Sequence, residues 1–226
     1  MAEPILAATV ILLRDPLEVF LVRRHGKSGF MANTYVFPGG KVDPADRASG
    51  ADDLAWARTA AARELAEEAG VTVSPSALGR WSHWITPSFE PRRFSAHFFV
   101  ARMPAGQTAA HDRHETTDER WISPSDALAA QLRGELPLPP PTIRVLEELS
   151  AHATVDDVLA EAARRAPDIH PILPRSLVVG GAISLLWPWD PEYGIATGEP
   201  LPYPANHPHA TGSTRVTLEG TRWVTR

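Results

Sequence analysis

Apolar and polar positions along the chain change period several times, and each change predicts an element. Ile5 to Leu13 and Val19 to Arg23 are short apolar runs divided by Arg-Asp-Pro-Leu-Glu, a turn-forming stretch, which predicts a β-hairpin. Tyr35 to Phe37 is a third extended piece. From Asp52 to Ala69 the residues are helix formers without glycine or proline, and Gly70 follows as a C-terminal stop, the strongest helix signal in the chain. Val-Thr-Val at 71–73, Gly-Arg-Trp-Ser-His-Trp-Ile-Thr-Pro from Gly79, and Arg-Arg-Phe-Ser-Ala-His-Phe-Phe-Val-Ala-Arg-Met from Arg92 are rich in branched and aromatic residues and predict strands, with a turn at Pro87 to Pro91. Arg120 to Ser123 predicts a further short strand, and Ser123 to Gly134 a short helix capped by Ser123 or Ser125.

Glu135 to Thr142, Glu-Leu-Pro-Leu-Pro-Pro-Pro-Thr, predicts an extended polyproline connector before two helices that begin at Thr142 and Thr154. The order up to Ala166 predicts a mixed α/β domain over residues 1–166. The composition then shifts, with nine of the 22 prolines from Pro167 onward and β-like stretches at Ser176 to Trp187 and Thr214 to Val224. That shift predicts a β-rich extension, residues 167–226, packed on the main domain.

Composition narrows the class of protein. No apolar run approaches the ~18 residues that a membrane-spanning helix needs, so no membrane partner is expected. The formal net charge of −5 offers no general attraction for nucleic acid, so a polyanionic ligand requires a local site. Cysteine is absent, which excludes disulfides, thiolate catalysis and thiolate zinc sites together. The first residues, Met-Ala-Glu-Pro-Ile-Leu, carry an acid where a signal peptide carries basic groups, and a cytoplasmic protein is expected.

The helix closes with Arg63-Glu64-Leu65-Ala66-Glu67-Glu68-Ala69-Gly70-Val71. At roughly 100° per residue, Leu54, Ala57, Ala61 and Leu65 share one stripe, while Glu64, Glu67 and Glu68 occupy the flank beside it. Like charges at these spacings weaken a helix by a few tenths of a kcal/mol per pair, and a hard divalent cation is their natural partner. Two adjacent glutamates alone are usually a solvated face; the full string is what carries the signal. His111-x-x-His114 and His207-Pro-His209 read as exposed loop histidines, because neither has a comparable carboxylate set nearby. Trp81, Trp84 and Trp121 read as core or pocket wall. Arg23 to Lys27, Arg-Arg-His-Gly-Lys, reads as a solvated turn able to meet a phosphate.

Together with Phe-Pro-Gly-Gly-Lys-Val-Asp-Pro-Ala-Asp at 37–46, this string resembles the Nudix hydrolase family, whose box is G-x5-E-x7-R-E-U-x-E-E-x-G-U with U aliphatic. Gly40 matches the opening glycine, and Arg63 to Val71 match the second half. Gly40 to Arg63 spans 63 − 40 = 23 positions where the box has 14, an insertion of nine. Counted forward, the first glutamate falls on Asp46; counted back, on Ala55. The interrupted box and the segments around it resemble the branch that includes peroxisomal coenzyme A diphosphatase-like proteins.

The resemblance implies a Nudix-type α/β/α sandwich with a mixed sheet and Mg²⁺-dependent, or Mn²⁺-dependent, hydrolysis of a pyrophosphate linkage. It implies a small-molecule nucleotide substrate: coenzyme A or an acyl-coenzyme A first, ADP-ribose or NADH as alternatives, with a homodimer as one assembly. It implies Gly40 (through its carbonyl), Glu64, Glu67 and Glu68 as metal ligands and Arg63 as the group orienting a carboxylate. Glu64 either completes the metal shell or takes a proton from water, and Glu115 is the other candidate base. Arg92 and Arg93 are candidates for substrate phosphates, and strand alternation allows at most one of them to serve. The competing reading is a Nudix-fold sensor that binds a nucleotide without cleaving it.

Overall fold

The computed structural model describes residues 3–26, 31–49, 52–112, 116–204 and 207–226. The first hairpin joins β1 (Ile5–Arg14) to β2 (Glu18–Arg24), followed by β3 (Tyr35–Val36), β4 (Gly39–Lys41) and a 3-10 turn over Pro44–Ser49. Helix α1 (Asp53–Ala69) leads to β5 (Gly79–Ile85), β6 (Phe94–Arg102) and β7 (Thr116–Ile122). Three helices follow, α2 (Pro124–Leu132), α3 (Pro140–Leu149) and α4 (Val155–Arg165), and then β8 (Pro171–Ile172). The chain closes with β9 (Arg175–Val179), β10 (Ala182–Leu186), β11 (Arg215–Glu219) and β12 (Arg222–Thr225).

Among the described residues, β1 to β8 form one mixed sheet, with β1 parallel to β6 and β5 parallel to β8. β1 and β2 pair next to their turn, Leu13 with Val19 and Arg14 with Glu18. Beyond it each strand takes a different partner, β4 on β1 and β3 on β2. The sheet therefore splits, and the segment 35–41 fills the split.

Both faces of this sheet are covered. Val10 and Leu12 of β1 pack with Ala57, Ala60, Ala61 and Leu65 of α1, while Ile11 and Leu13 pack with residues of α2, α3 and α4. The α/β/α sandwich follows from this alternation, in which successive residues of a central strand are apolar because both faces are buried. Asp52 caps α1 by accepting from Ala55 N–H, and Gly70 ends it at φ 67°, a left-handed conformation that suits glycine.

Several elements differ from the sequence reading. Helix α3 starts at Pro140 and not at Thr142, because the first-turn N–H groups of a helix have no internal acceptor and proline loses nothing there. Val71 to Val73 is not a strand; the Gln107 amide accepts from Thr72 N–H at 2.8 Å and donates to Thr72 C=O at 2.9 Å, replacing a ladder partner. Ser123, not Ser125, caps α2, accepting from Asp126 N–H.

The C-terminal stretch forms a four-stranded antiparallel sheet, β12-β11-β10-β9. Gly180 and Gly181 turn the first of its hairpins with φ of 59° and 85°, as a tight two-residue hairpin requires. Trp187 is fully buried against Trp84 of the main sheet, edge to face at 5.3 Å between centroids. Pro171–Ile172, in the stretch where the composition changes, extends the main sheet beside β5. The extension and the sandwich thus share one hydrophobic core.

Candidate active site

The Gly39-Gly40 pair lies in β4 and needs glycine for space. A Cβ on Gly39 would stand 2.3 Å from Ala8 C=O, and one on Gly40 would stand 2.2 Å from Glu64 Oε1. The two glycines let β4 lie between β1 and the carboxylates of α1. Neither has positive φ.

The β4 ladder sorts their backbone groups. Val10 N–H donates to Pro38 C=O and Val42 N–H to Leu6 C=O, so even-numbered residues of this segment bond to β1. Odd-numbered ones face α1: Gly39 N–H donates to Glu68 at 2.8 Å, and Lys41 C=O accepts from Arg63 at 3.0 Å.

Arg63 is the hub of the site. Its Nε and Nη2 donate to the two oxygens of Asp46 at 3.1 and 2.9 Å, and its Nη1 donates to Glu64 and Glu67, each at 2.9 Å. Asp46 is 3% exposed. Burial pushes its carboxyl up, but the Arg63 hydrogen bonds and the Asp43 N–H outweigh it and hold the group below the usual carboxylate range. Forward counting from Gly40 therefore lands on the carboxylate that accepts two hydrogen bonds from Arg63. Glu68 is buried, Glu64 nearly so, and Glu67 is exposed at the surface end of the set.

These residues open onto a cleft of about 1470 Å³ lined by Gly39, Gly40, Arg63, Glu64 and Glu67 on one side. Trp84, Phe94 and Phe98 of the sheet form its floor, and Ile183, Leu185, Leu218 and Trp223 of the C-terminal sheet form an apolar wall. Arg23 and Arg24, at the end of β2, also line it; among the described residues neither makes a side-chain hydrogen bond or ion pair, and the Nε of each is buried. The carboxylate across the ladder from Arg23, Asp118, is taken by the Tyr35 hydroxyl at 2.5 Å.

The two further arginines separate. Arg92 is exposed in the cleft wall, with its guanidinium over the Phe94 ring. Arg93 is buried and its Nε donates to Thr86 C=O at 3.0 Å, tying the β5–β6 connection. Glu115 lies outside the described residues, as does His114. His111 pairs with Glu119 at 2.8 Å, and Trp81 is core, with Arg165 stacked on it.

A mixed sheet between helices, split to admit a glycine pair against a helix bearing Arg63, Glu64, Glu67 and Glu68, defines a class of carboxylate-helix proteins. The sequence pattern of the NUDIX domain matches residues 3–144, and the chain belongs to that family. It is 29% identical over 180 residues to the putative nudix hydrolase 7 of Caenorhabditis elegans, covering 64% of this chain and 60% of that one. It is 31% identical over 120 residues to the acyl-coenzyme A diphosphatase NUDT19 of Homo sapiens, covering 52% of this chain and 32% of that one. The matched regions thus span less than two thirds of these relatives. Among solved structures, a NUDIX hydrolase from Alicyclobacillus acidocaldarius superposes with a TM-score of 0.64 at 25% identity, over 71% of this chain and 97% of that one.

Proposed function

We propose that the protein hydrolyses the phosphoanhydride bond of a nucleoside diphosphate linked to a second moiety, in a Mg²⁺- or Mn²⁺-dependent reaction. The preferred substrate is coenzyme A or an acyl-coenzyme A; ADP-ribose and NADH are the alternatives. One observation carries this reading: a single guanidinium, Arg63, anchored on buried Asp46, holds Glu64 and Glu67 beside Glu68 at the wall of a large cleft.

The donor set fits a hard divalent cation, since it consists of carboxylate oxygens and a backbone carbonyl with no nitrogen or sulfur. Glu64, Glu67 and Glu68 would hold it. The carbonyl that joins them in this reading is that of Gly39 and not Gly40, because ladder alternation turns Gly40 toward β1 and Gly39 toward α1. When bound, the ion neutralises phosphate oxygens and makes a water acidic enough to attack phosphorus.

The protein's own groups do the rest. Arg63 fixes the rotamers of two glutamates, so that they need not reorganise when substrate arrives. Glu64, 15% exposed and facing Gly40, would either complete the metal shell or take a proton from water; Glu115 is the other candidate base. Arg92, Arg23 and Arg24 supply positive charge along the cleft for substrate phosphates, whereas Arg93 is committed to the fold. The apolar wall of Leu185, Leu218 and Trp223 suits a leaving group with a hydrophobic portion, which favours an acylated substrate over ADP-ribose. The intact Glu64, Glu67 and Glu68 set argues against a non-catalytic sensor.

A panel assay tests the reading. Purified protein with Mg²⁺ is given coenzyme A, acetyl-coenzyme A, ADP-ribose, NADH and nucleoside triphosphates, beside the Glu68→Gln variant. Turnover of one substrate class that disappears in the variant supports the proposal. Tight nucleotide binding without turnover of any of them would replace it with the sensor.

A further inference from the structure

The chain carries a second group of metal-type ligands, far from the glutamates in sequence and built from two separate segments. Asp168 and His170 lie in the connector between α4 and β8, and His207 lies in the loop between β10 and β11. One ligand atom from each falls within 4.8 Å of the others. His170 Nε2 is 2.9 Å from Asp168 Oδ1, and His207 Nε2 is 3.5 Å from Asp168 Oδ2. Both imidazoles therefore aim the same ring nitrogen at one carboxylate.

These spacings match a first-row transition ion. Metal–ligand bonds of about 2.05 Å at the tetrahedral angle put neighbouring ligand atoms about 3.3 Å apart, close to the 3.5 Å from His207 Nε2 to Asp168 Oδ2. With roughly 1.15 Å more from Nε2 to the ring centre, two imidazoles on one ion have centres about 5.2 Å apart. The observed separation of the His170 and His207 rings is 5.2 Å, with the planes nearly perpendicular at 83°.

The surroundings also suit a ligand. His207 is 5% exposed, and its Nδ1 lies 3.2 Å from the Tyr203 hydroxyl, the outer partner that a ligating imidazole needs to fix its tautomer. Its Nε2 also contacts Asp168 C=O at 2.9 Å, so the metal-free form carries the proton on Nε2. Binding moves that proton to Nδ1, where Tyr203 accepts it; the 3.3 Å contact from His209 N–H to Nδ1 is given up. Asp168 and His170 are exposed enough to leave a coordination position open to water.

We infer that Asp168, His170 and His207 form a three-ligand site for a borderline divalent ion of the Zn²⁺ class, distinct from the Mg²⁺ site proposed on α1. Two neutral imidazole nitrogens and one carboxylate select Zn²⁺ over Mg²⁺, which prefers oxygen alone. The ion clamps the loop that carries His207 to the connector between α4 and β8. The C-terminal sheet that walls the cleft is thereby fastened at a further point, besides Trp187 and the hydrogen bonds of Arg222 to Leu132 C=O and of Ser213 to Glu147.

The test uses the full chain without a histidine tag, stripped with chelator and titrated with Zn²⁺ by calorimetry, then with Co²⁺ for the visible bands of a tetrahedral site. One equivalent is expected to bind with a Kd below about 10 μM and to raise Tm by on the order of 5 °C at a hundredfold excess over Kd. The partly exposed variants Asp168→Asn and His170→Ala, which keep the buried His207, are expected to weaken binding at least tenfold and to lose the Co²⁺ bands. No saturable binding by the wild type, or binding unchanged in both variants, would overturn the inference. Neither readout uses hydrolysis, so the α1 site and this one stand or fall separately.

Discussion

Asp46 grips Arg63 along one edge of the guanidinium, accepting from Nε at 3.1 Å and from Nη2 at 2.9 Å, across 17 residues of sequence. The pair links the loop before α1 to the last turn but one of that helix and leaves Nη1 for Glu64 and Glu67. Asp46→Asn keeps the size and removes the charge. Turnover is expected to fall about tenfold and stability by on the order of 1–3 kcal/mol, from the loss of charge-assisted bonds to a nearly buried acceptor. The Asp46 carboxyl titrates below its ordinary value of 3.8, so its contribution is present above that value and is lost as the pH falls through the lower folded-state value. Denaturant melts of wild type and variant at neutral and acid pH should therefore converge only at the acid end.

Glu68 accepts from Gly39 N–H at 2.8 Å and is 5% exposed. Glu68→Gln retains an oxygen for that hydrogen bond but removes the negative charge. Activity is expected to drop by at least about a hundredfold, with near-wild-type folding and loss of Mg²⁺ stabilisation. Thermal melts with and without Mg²⁺ check this; a variant that melts as the wild type does and keeps its metal response would remove Glu68 from the ligand set.

The two glycines of β4 should respond differently to a methyl group. At Gly40 the obstacle is the end of the Glu64 side chain, 2.2 Å from the new Cβ, and a carboxylate can swing aside. At Gly39 it is the Ala8 carbonyl at 2.3 Å and the Thr9 Cα at 2.7 Å, both backbone of the central strand. Gly40→Ala should stay folded and lose activity. Gly39→Ala should lose stability by about 2 kcal/mol or more, seen as a lower denaturation midpoint.

Arg23 and Arg24 line the cleft and, among the described residues, make no side-chain hydrogen bond or ion pair. Replacing both with glutamine should raise KM for a phosphate-rich substrate about tenfold and leave kcat within about threefold, because the charges attract substrate and do not touch the reacting bond. Equal losses in kcat and kcat/KM would place them at the transition state instead.

His83 and His97 stack on neighbouring strands at 4.0 Å and 12°. Burial, followed for both by repulsion from charged neighbours including Arg80, holds His83 at about 3 and His97 at about 4 against an ordinary 6.5. Between 6.5 and those values the unfolded chain takes up protons that the folded chain refuses. Stability is thus full above 6.5 and falls as the pH drops toward 4. Tm measured across that range should decline less steeply in a His83→Gln/His97→Gln variant; parallel curves would assign the decline to other groups.

Local rules were enough for much of this protein. The unbroken run of helix formers from Asp52, the αL glycine at position 70 and the order Arg63, Glu64, Glu67, Glu68 determine α1 and its charged flank, because helical periodicity is a property of neighbouring residues. They also made Asp46 a candidate for the first acidic position, by counting from Gly40. Tertiary packing alone decided the rest. Only the pairing of β4 with β1 shows that Gly39 and Gly40 are glycine for lack of space and which carbonyl faces the helix. Only the fold separates Arg92, in the cleft, from Arg93, in the chain's own framework, since adjacent strand residues look alike in sequence and differ in which side is covered. The cleft wall from Ile183 to Trp223 and the meeting of Asp168 and His170 with His207 arise from contacts across tens of residues. No local pattern encodes such contacts, because their energy comes from burial and charge shared between segments that are neighbours only once the chain has folded.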